Sequence, residues 1–295
     1  MVIGFEQGTL PLRSTPFFAK EPCDADKLVW NRFCENNLAN YVAKRKEKIA
    51  VVAKGCDVRA LVELIKEKQI PRNRLYIIGV PCSGMIDRAR IEAELGDRSV
   101  QEAEVGDGTL LIRGEGFEKE FNLNDSLYPS CQVCTQKNPI IYDELVGEAK
   151  EEAGEDTYSD IEAFESLSHE ERWKYFSEEM GRCIRCYACR NACPLCYCPE
   201  CFVDASRPQW IGKSVDTSDT VLFHIMRAFH LAGRCVECGA CERACPLGID
   251  IRKLNRKLAK DVLAFFNYKA GRSIEEVAPL ATYRPDDPEV FILEP

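Results

Sequence analysis

Residues 181–194 read GRCIRCYACRNACP, and residues 233–246 read GRCVECGACERACP. The two stretches align without gaps, and each carries the spacing C-x2-C-x2-C-x3-C followed by proline. Three thiolates with two residues between neighbours can wrap one cubane within a tight loop, and in two-cluster ferredoxins the fourth thiolate of such a run ligates the other cluster. The repeat therefore predicts two [4Fe–4S] clusters in the last third of the chain.

The exchange of the fourth ligand divides the eight cysteines into two predicted sets. Two zinc sites with four cysteine ligands each are the alternative, but the repeated pattern of four cysteines plus proline favours iron–sulfur clusters. The proline ends each loop because its ring fixes the backbone. The first set is Cys183, Cys186, Cys189 and Cys245, and the second set is Cys235, Cys238, Cys241 and Cys193.

Cysteine usage over the whole chain agrees with this interpretation. The 295 residues include 17 cysteines but only 3 histidines. A disulfide scaffold is disfavoured, because the chain is long, its N-terminus lacks the pattern of a secretory signal, and its cysteines are closely spaced. Thiol-rich sites with little histidine favour iron–sulfur clusters or all-cysteine zinc. We expect a protein of the reducing cytoplasm.

Charge and hydropathy argue against two further classes of protein. The net charge of −9 lacks the basic footprint of a nucleic-acid-binding protein. The longest apolar runs, such as residues 75–80, are far too short to cross a bilayer. We therefore predict no nucleic-acid partner and no transmembrane segment.

Residues 48–80 have the pattern of a βαβ unit. Residues 49–53 and 75–80 read as buried strands, with a helix between them that is N-capped by Asp57 and stopped by Pro71. Strands connected in this way pair in parallel. The predicted fold class is an α/β N-terminal domain with a parallel βαβ core, followed by a mainly α-helical dicluster ferredoxin domain.

Four more cysteines belong to the α/β region. Cys56 and Cys82 each follow one of the two strands, and open α/β sheets bind ligands beyond the carboxyl ends of their strands. Their thiols are therefore expected to lie close together. Cys131 and Cys134 form a C-x-x-C loop downstream of a hairpin predicted for residues 109–121.

The domain organisation is predicted from changes in composition. Residues 144–179 are strongly acidic, and Ser168 with Glu171 makes a capping box that opens a helix. Residues 221–231 are apolar around most of a helix and read as buried. The predicted segments are an α/β domain (1–150), an acidic linker (151–167), an α-helical 2×[4Fe–4S] ferredoxin domain (168–270) and an extended C-terminal tail (271–295).

The two cysteine runs and the helices around them resemble the α-helical ferredoxin domain of heterodisulfide reductase, succinate dehydrogenase and glycerol-3-phosphate dehydrogenase iron–sulfur subunits. The resemblance covers about residues 168–268. Its motifs are specific for cluster binding and not for a substrate.

The segments VVAKGCDVRA (51–60) and IGVPCSGMID (78–87), followed by CQVC (131–134), resemble the beta-subunit family of coenzyme F420-reducing hydrogenases and formate dehydrogenases. In that family a cysteine set in this region binds a [4Fe–4S] cluster. The resemblance implies Cys56, Cys82, Cys131 and Cys134 as its ligands here, with zinc or structural thiols as alternatives. Cys34 is a rival ligand, and Cys23 is interpreted as an ordinary thiol.

The sequence leaves open the roles of three cysteines and the presence of one cofactor. Cys196, Cys198 and Cys201 are interpreted as spare thiols, alternative ligands or an extra metal site. Some members of the resembled family bind a flavin, and Arg59 with the loop amides near Cys56 could hold its phosphate. A flavin is the less favoured cofactor, because the chain has no G-x-G-x-x-G motif or P-loop.

These observations favour a non-catalytic electron-transfer subunit of a multi-subunit, soluble oxidoreductase in anaerobic metabolism. It would relay single electrons between a dehydrogenase or hydrogenase and a heterodisulfide-reductase-like or flavin-containing partner. The rival is a flavin-dependent oxidoreductase subunit, linked to F420 or NAD(P)H, that splits hydride electrons onto its own clusters. A zinc-bound structural adaptor is the third class. The apolar residues 290–293 are hypothesised to contact a partner subunit, with packing against their own domain as the alternative.

The exchange of fourth ligands predicts a specific mutant phenotype. Cys193→Ser should damage the cluster of Cys235, Cys238 and Cys241 and spare the cluster of its own run. Paramagnetic resonance of the reduced protein separates the two signals. A loss confined to the cluster of Cys183, Cys186 and Cys189 would contradict the exchange.

Overall fold

The computed structural model describes residues 1–152, 154–283 and 285. The chain divides into two compact units. The first consists of Met1–Val58 and Pro71–Asp156, and the second consists of Arg59–Ile70 and the residues from Thr157 onward. The boundaries of the four predicted segments remain predictions, and residues 290–293 lie outside the described residues.

The first unit contains a mixed five-stranded sheet with the order β2-β1-β3-β4-β8 and a three-stranded antiparallel sheet with the order β5-β6-β7. In the larger sheet only β1 and β2 pair antiparallel, and the other three pairings are parallel. The strands are β1 (Val2–Gln7), β2 (Ser14–Ala19), β3 (Ile49–Ala53), β4 (Leu75–Gly79), β5 (Val100–Val105), β6 (Thr109–Gly114), β7 (Phe117–Asn122) and β8 (Glu144–Leu145).

The predicted strand–helix–strand pattern lies at the centre of the larger sheet. Strands β3 and β4 pair in parallel from Ile49 opposite Leu75 to Ala53 opposite Gly79. The helix between them begins at Gly55, two residues before the predicted N-cap. Asp57 lies inside its first turn and accepts a hydrogen bond from the backbone N–H of Lys54 (3.2 Å). The turn after β3 is therefore tighter than the sequence indicated.

Strands β1 and β2 form an N-terminal hairpin that the sequence analysis did not predict. Strand β2 contains Pro16, which lies opposite Phe5 of β1. Proline is tolerated in β2 because this strand is at the edge of the sheet, where one side of its backbone has no partner strand. The hairpin predicted for residues 109–121 is confirmed as β6 and β7. Its apolar face, including Leu110 and Ile112, packs into a core with Ile91 and Leu95.

Regular structure in the described residues of the second unit is helical. The predicted linker contains a helix whose Ile161 is fully buried. Across the described chain the α-helices are α1 (Gly55–Lys66), α2 (Arg88–Leu95), α3 (Pro129–Gln132), α4 (Ser159–Glu165), α5 (His169–Gly181), α6 (Ala188–Asn191), α7 (Thr217–His230), α8 (Ala240–Arg243) and α9 (Ile251–Phe266).

Local sequence signals position the three long helices of this unit. The predicted capping box of Ser168 and Glu171 is present at the start of α5. Asp250 caps α9, where its side chain accepts a hydrogen bond from the backbone N–H of Lys253 (3.2 Å). Helix α7 is not buried all round, since Leu222, Met226 and Phe229 are exposed on one face. The apolar sequence of residues 221–231 therefore predicted more burial for α7 than the structure shows.

Among the described residues, no helix is both long and apolar enough to cross a membrane.

Candidate iron–sulfur centres

The two cysteine runs have the same backbone trace at equivalent positions. Arg185 and Tyr187 in the first run, and Glu237 and Gly239 in the second, have left-handed φ angles of 50°, 59°, 57° and 69°. Non-glycine residues pay a free-energy cost on the order of 1 kcal/mol for this conformation. The conformation turns the N–H of Arg185 toward the Sγ atom of Cys183 (3.4 Å), and the N–H of Glu237 likewise donates to the thiol of Cys235.

One cavity is lined by all four predicted ligands of the second set, which are Cys193, Cys235, Cys238 and Cys241. The remainder of its lining combines apolar residues with five polar ones, which are Arg227, Glu237, Arg252, Asn255 and Arg256. In the described part of the chain these thiols surround a space and do not converge as the ligands of one metal ion would.

The chemistry of this cavity fits a cubane with four thiolate ligands. The Nε atom of Arg227, the Nη1 atom of Arg252 and the Oδ1 atom of Asn255 are buried there without a hydrogen-bond partner among the described residues. The arginine N–H groups can therefore donate toward a negatively charged cluster. Cys193 lines this cavity from the first run, and the exchange of fourth ligands stays a prediction.

The first set of cysteines is also brought together. Burial raises the pKa of the Cys183 thiol, and the neighbouring thiols of Cys245 and Cys186 raise it further. Cys189 is buried and lies close to Cys183, although it also lies near Cys241 of the second set. The Sγ atom of Cys245 accepts a hydrogen bond from the backbone N–H of Ile249 (3.4 Å).

Arg227 is a buried cation between the two sets. Burial alone would lower its pKa, but Cys241, Cys193, Cys196 and Cys189 outweigh this effect and raise the pKa well above its usual value. Its Nη2 atom also donates to the backbone carbonyl of Cys189 (3.2 Å). Arg227 therefore stays charged and offsets thiolate charge from both sets. Its position as a basic residue within an apolar helix was the signal that sequence reasoning missed.

His224 contacts the first set directly. Its Nε2 atom lies 3.3 Å from the Sγ atom of Cys183, and the residue is only 2% exposed. Burial, with further contributions from Arg227 and Arg185, lowers the pKa of His224 to about 4. A neutral imidazole protonated at Nε2 donates a hydrogen bond to this sulfur. Nothing in the sequence indicated this contact with a cysteine.

The four cysteines implied for an N-terminal centre lie together in the first unit. Burial raises the pKa of Cys82 to about 12, and Cys131 and Cys134 are among its charged neighbours. Cys56 lies in the first turn of α1. Cys56 and Cys82 both interact electrostatically with Lys54 and raise its pKa. The backbone N–H groups of Gly84 and Met85 donate to the sulfurs of Cys82 and Cys131, each at 3.4 Å.

Lys54 supplies the positive charge at this group of thiols. Its side chain is 3% exposed, and its Nζ atom donates to Asp57 (3.0 Å) and to the carbonyl of Asn36 (2.7 Å). Burial alone would lower the pKa of Lys54, but Asp57, Cys56 and Cys82 outweigh it and raise the pKa. The position of Lys54 at the end of a strand, two residues before Cys56, was an available signal for this role.

Cys34 and Cys23 occupy different environments from these four. Cys34 is fully buried, and its Sγ atom accepts a hydrogen bond from the backbone N–H of Asn31 (3.4 Å). Lys54 and Asp57 are close enough to influence Cys34 electrostatically. Cys23 is exposed. The contacts of Cys34 favour a structural thiol over a ligand.

Cys196, Cys198 and Cys201 are dispersed. Cys196 lies beside Cys193 and Arg227, Cys201 packs against the apolar core of the second unit near Arg190, and Cys198 is exposed. This dispersion disfavours an extra metal site built from all three. Arg59, weighed as a flavin-phosphate ligand, donates instead to the carbonyl of Ala270 from Nε (3.0 Å) and Nη2 (2.8 Å).

The fold and the cysteine arrangement define an iron–sulfur protein, and residues 179–249 match the family model of the 4Fe-4S dicluster domain. Residues 46–161 match the C-terminal family of the coenzyme F420 hydrogenase/dehydrogenase beta subunit. Two parts of the chain are thus similar to the two families that its motifs had indicated. The chain is an iron–sulfur electron-transfer protein of the oxidoreductase class.

Two curated relatives span most of the chain. The F420-dependent formate dehydrogenase subunit beta of Methanocaldococcus jannaschii is 27% identical over 291 residues, covering 79% of this chain and 76% of the relative. The F420-dependent formate dehydrogenase 1 subunit beta of Methanococcus maripaludis is 26% identical over 295 residues, covering 79% of this chain and 75% of the relative.

Gly55 provides a test of the N-terminal centre. A Cβ atom on Gly55 would lie 2.3 Å from the carbonyl oxygen of Gln136, so Gly55→Ala must displace the loop that follows Cys134. We expect a loss of about four irons per chain, the content of one cubane. Gly154→Ala is the matched control, because a Cβ there meets nothing within 4 Å. Iron loss that is equal in both variants would contradict the assignment.

His224→Phe tests the hydrogen bond to Cys183. Hydrogen bonds to cluster sulfurs help to set reduction potential, and a lost bond of about 1 kcal/mol corresponds to a fall of roughly 40 mV for one electron. A redox titration followed by paramagnetic resonance measures the shift. His230→Phe is the control, since His230 is exposed on the same helix. Unchanged potentials in a fully loaded His224→Phe protein would contradict the prediction.

Proposed function

We propose that this chain is the electron-transfer subunit of an F420-dependent formate dehydrogenase. The observation that carries the proposal is the cavity shared by Cys193 from the first run and Cys235, Cys238 and Cys241 from the second. Interleaved ligands place two one-electron centres side by side. The similarity to two F420-dependent formate dehydrogenase beta subunits over 79% of the chain supports the choice of complex.

The proposed ligands form three sets on one chain. [4Fe–4S] clusters, when bound, accept and release single electrons. The first dicluster set is Cys183, Cys186, Cys189 and Cys245, the second is Cys235, Cys238, Cys241 and Cys193, and the N-terminal set is Cys56, Cys82, Cys131 and Cys134.

The protein contributes charge and hydrogen bonds around these thiols. Arg227 offsets the charge of the two dicluster sets, and Lys54 does the same for the N-terminal set. The backbone N–H groups of Arg185, Gly84 and Met85 donate to cysteine sulfurs. Such groups stabilise the more negative, reduced state and therefore raise the reduction potential.

The partners between which the electrons pass are also proposed. The chain would relay electrons between a formate-oxidising subunit and a flavin-containing or heterodisulfide-reductase-like partner in the cytoplasm. The resemblance of residues 168–268 to heterodisulfide-reductase-type subunits supports the second kind of partner. A flavin held beside Cys56 is less well supported, because the Arg59 guanidinium is engaged by Ala270.

Affinity purification of the tagged chain from its native host, under anaerobic conditions, tests the assignment to a complex. We expect a formate-oxidising subunit to copurify, and the complex to reduce F420 with formate. A Cys193→Ser chain should retain the subunit but lose most of this activity, because one relay centre is damaged. Cys23→Ser is the control, since Cys23 is exposed. Copurification without any formate-oxidising subunit would overturn the assignment.

Iron and acid-labile sulfide analysis of the same preparation tests the number of centres independently. Three cubanes require about twelve irons and twelve sulfides per chain, and two require about eight of each. Cys131→Ser should lower the iron content by about four, whereas Cys23→Ser should leave it unchanged. About eight irons in the unmodified chain would remove the N-terminal centre from the proposal. Stoichiometric zinc without labile sulfide would favour a structural adaptor.

A further inference from the structure

Equivalent apolar residues of the two cysteine runs differ in their exposure to solvent. Ile184 follows the first cysteine of its run and is 55% exposed, whereas Val236, at the same position of the second run, is 3% exposed. Leu247 and Leu195 each follow the proline that ends a run, and they are 39% and 3% exposed. Cys186 of the first run is exposed as well. The residue types at these positions are alike, so the difference arises from tertiary packing.

The two exposed apolar residues adjoin ligands of the first predicted set. Ile184 comes directly after Cys183, and Leu247 comes two residues after Cys245. The Nη1 atom of Arg182 donates a hydrogen bond to the backbone carbonyl of Leu247 (3.3 Å), which joins the two runs at this point. Both residues therefore present apolar surface to solvent beside the first set.

The protein covers the corresponding part of the second set with its own residues. Arg234 forms an ion pair with Glu67, which follows α1, and its Nη2 atom donates to the backbone carbonyl of Leu195 (3.3 Å). The hydroxyl of Tyr197 also donates to Glu67 (2.7 Å). The end of α1 is therefore attached to the second run beside Leu195. Within the described part of the chain, the equivalent surface of the first set has no such cover.

The segment from Trp210 to Val215 adds two exposed apolar side chains near the first run. Arg185 attaches this segment, since its guanidinium donates to the carbonyl of Gly212 from Nη2 (2.8 Å) and to that of Ser214 from Nη1. Trp210 is 64% exposed and Val215 is 61% exposed. Clustered apolar side chains on a protein surface mark sites of contact with other proteins.

Two pairs of charged side chains in the first run's surroundings neutralise each other. Arg182 pairs with Glu179 (2.6 Å), and Arg190 pairs with Asp204 (2.7 Å). A protein that fits this surface should therefore meet it with apolar groups of low charge, as in the centre of protein interfaces. Because the chain is an iron–sulfur electron-transfer protein, a protein placed next to its first cysteine set is placed to exchange single electrons with it.

We propose that Ile184 and Leu247, together with Trp210 and Val215, form the docking surface for a redox partner that exchanges electrons through the first cysteine set. The partner is a protein subunit with a one-electron centre beneath an apolar contact surface of low charge. Its identity as a formate-oxidising subunit rests on the proposed function, whereas the location of the docking surface does not.

Paired charge substitutions test the docking surface in the complex. The tagged full-length chain is purified anaerobically from its native host, and the iron–sulfur or flavin protein that copurifies is identified and quantified per chain. Ile184→Asp/Leu247→Asp should lower that amount at least about tenfold, because an unpaired charge is costly to bury in an apolar contact. The iron content and the paramagnetic resonance spectrum of the chemically reduced chain should not change.

The matched control is Leu222→Asp/Phe265→Asp, because these apolar residues of α7 and α9 are 42% and 56% exposed. This variant should retain the partner. If the unmodified chain copurifies with a redox subunit that does not oxidise formate, the proposed function fails, but the docking surface stands where Ile184→Asp/Leu247→Asp removes that subunit.

Three results would overturn the docking surface. They are the absence of any redox subunit from the unmodified preparation, equal retention of the partner by both double variants, and equal loss of it from both. If Ile184→Asp/Leu247→Asp lowers the iron content, Trp210→Ser/Val215→Ser decides the matter, since it changes no residue next to a cysteine. That variant should lose the partner with its iron content intact, and full retention would overturn the proposal.

Discussion

Burying many thiolates in a small volume is the physical constraint on which the rest of this structure depends. Desolvation and mutual repulsion both disfavour the ionised form of a buried thiol, and they raise the pKa values of Cys82 and Cys189 to about 12. The protein opposes this with buried cations. Lys54 lies among the thiols of the first unit, and Arg227 lies among those of the second. A buried charge of either sign would be costly alone, and each lowers the cost of the other.

Backbone conformation is the second means of stabilising these sulfurs. In each dicluster loop, residues at two equivalent positions adopt left-handed φ angles, and glycine occupies only one of the four positions. Tyr187 occurs where the second run has Gly239, so the same loop is made with and without a side chain. Strain of this kind persists only where the surrounding structure fixes it, and it is concentrated at functional sites. In return, this backbone conformation directs N–H groups at the cysteine sulfurs.

Packing in the second unit explains why a segment from early in the sequence belongs to it. Glu67 forms an ion pair with Arg234, the residue before Cys235. Glu63, which is fully buried, accepts hydrogen bonds from the hydroxyl of Tyr268 (3.0 Å) and the backbone N–H of Gly271 (2.6 Å). Glu67 thereby holds residues 59–70 against the second cysteine run, and Glu63 holds them against residues 268–271. Charged residues on an amphipathic helix are usually solvated, so the sequence alone had no reason to pair them with residues 167 to 208 positions away.

The sequence by itself determined the chemistry and most of the local structure. The repeated cysteine spacing predicted the dicluster domain because ligand geometry in a tight loop depends on short separations along the chain. The strands of the βαβ unit, the 109–121 hairpin and the capping box of Ser168 and Glu171 were predicted because they too depend on neighbouring residues. Only the tertiary structure decided that β1 and β2 join the sheet, that Cys34 packs as a buried thiol, and that Lys54, Arg227 and His224 lie beside cysteines. Those features arise from contacts between distant parts of the chain, where burial, not local propensity, selects the partner.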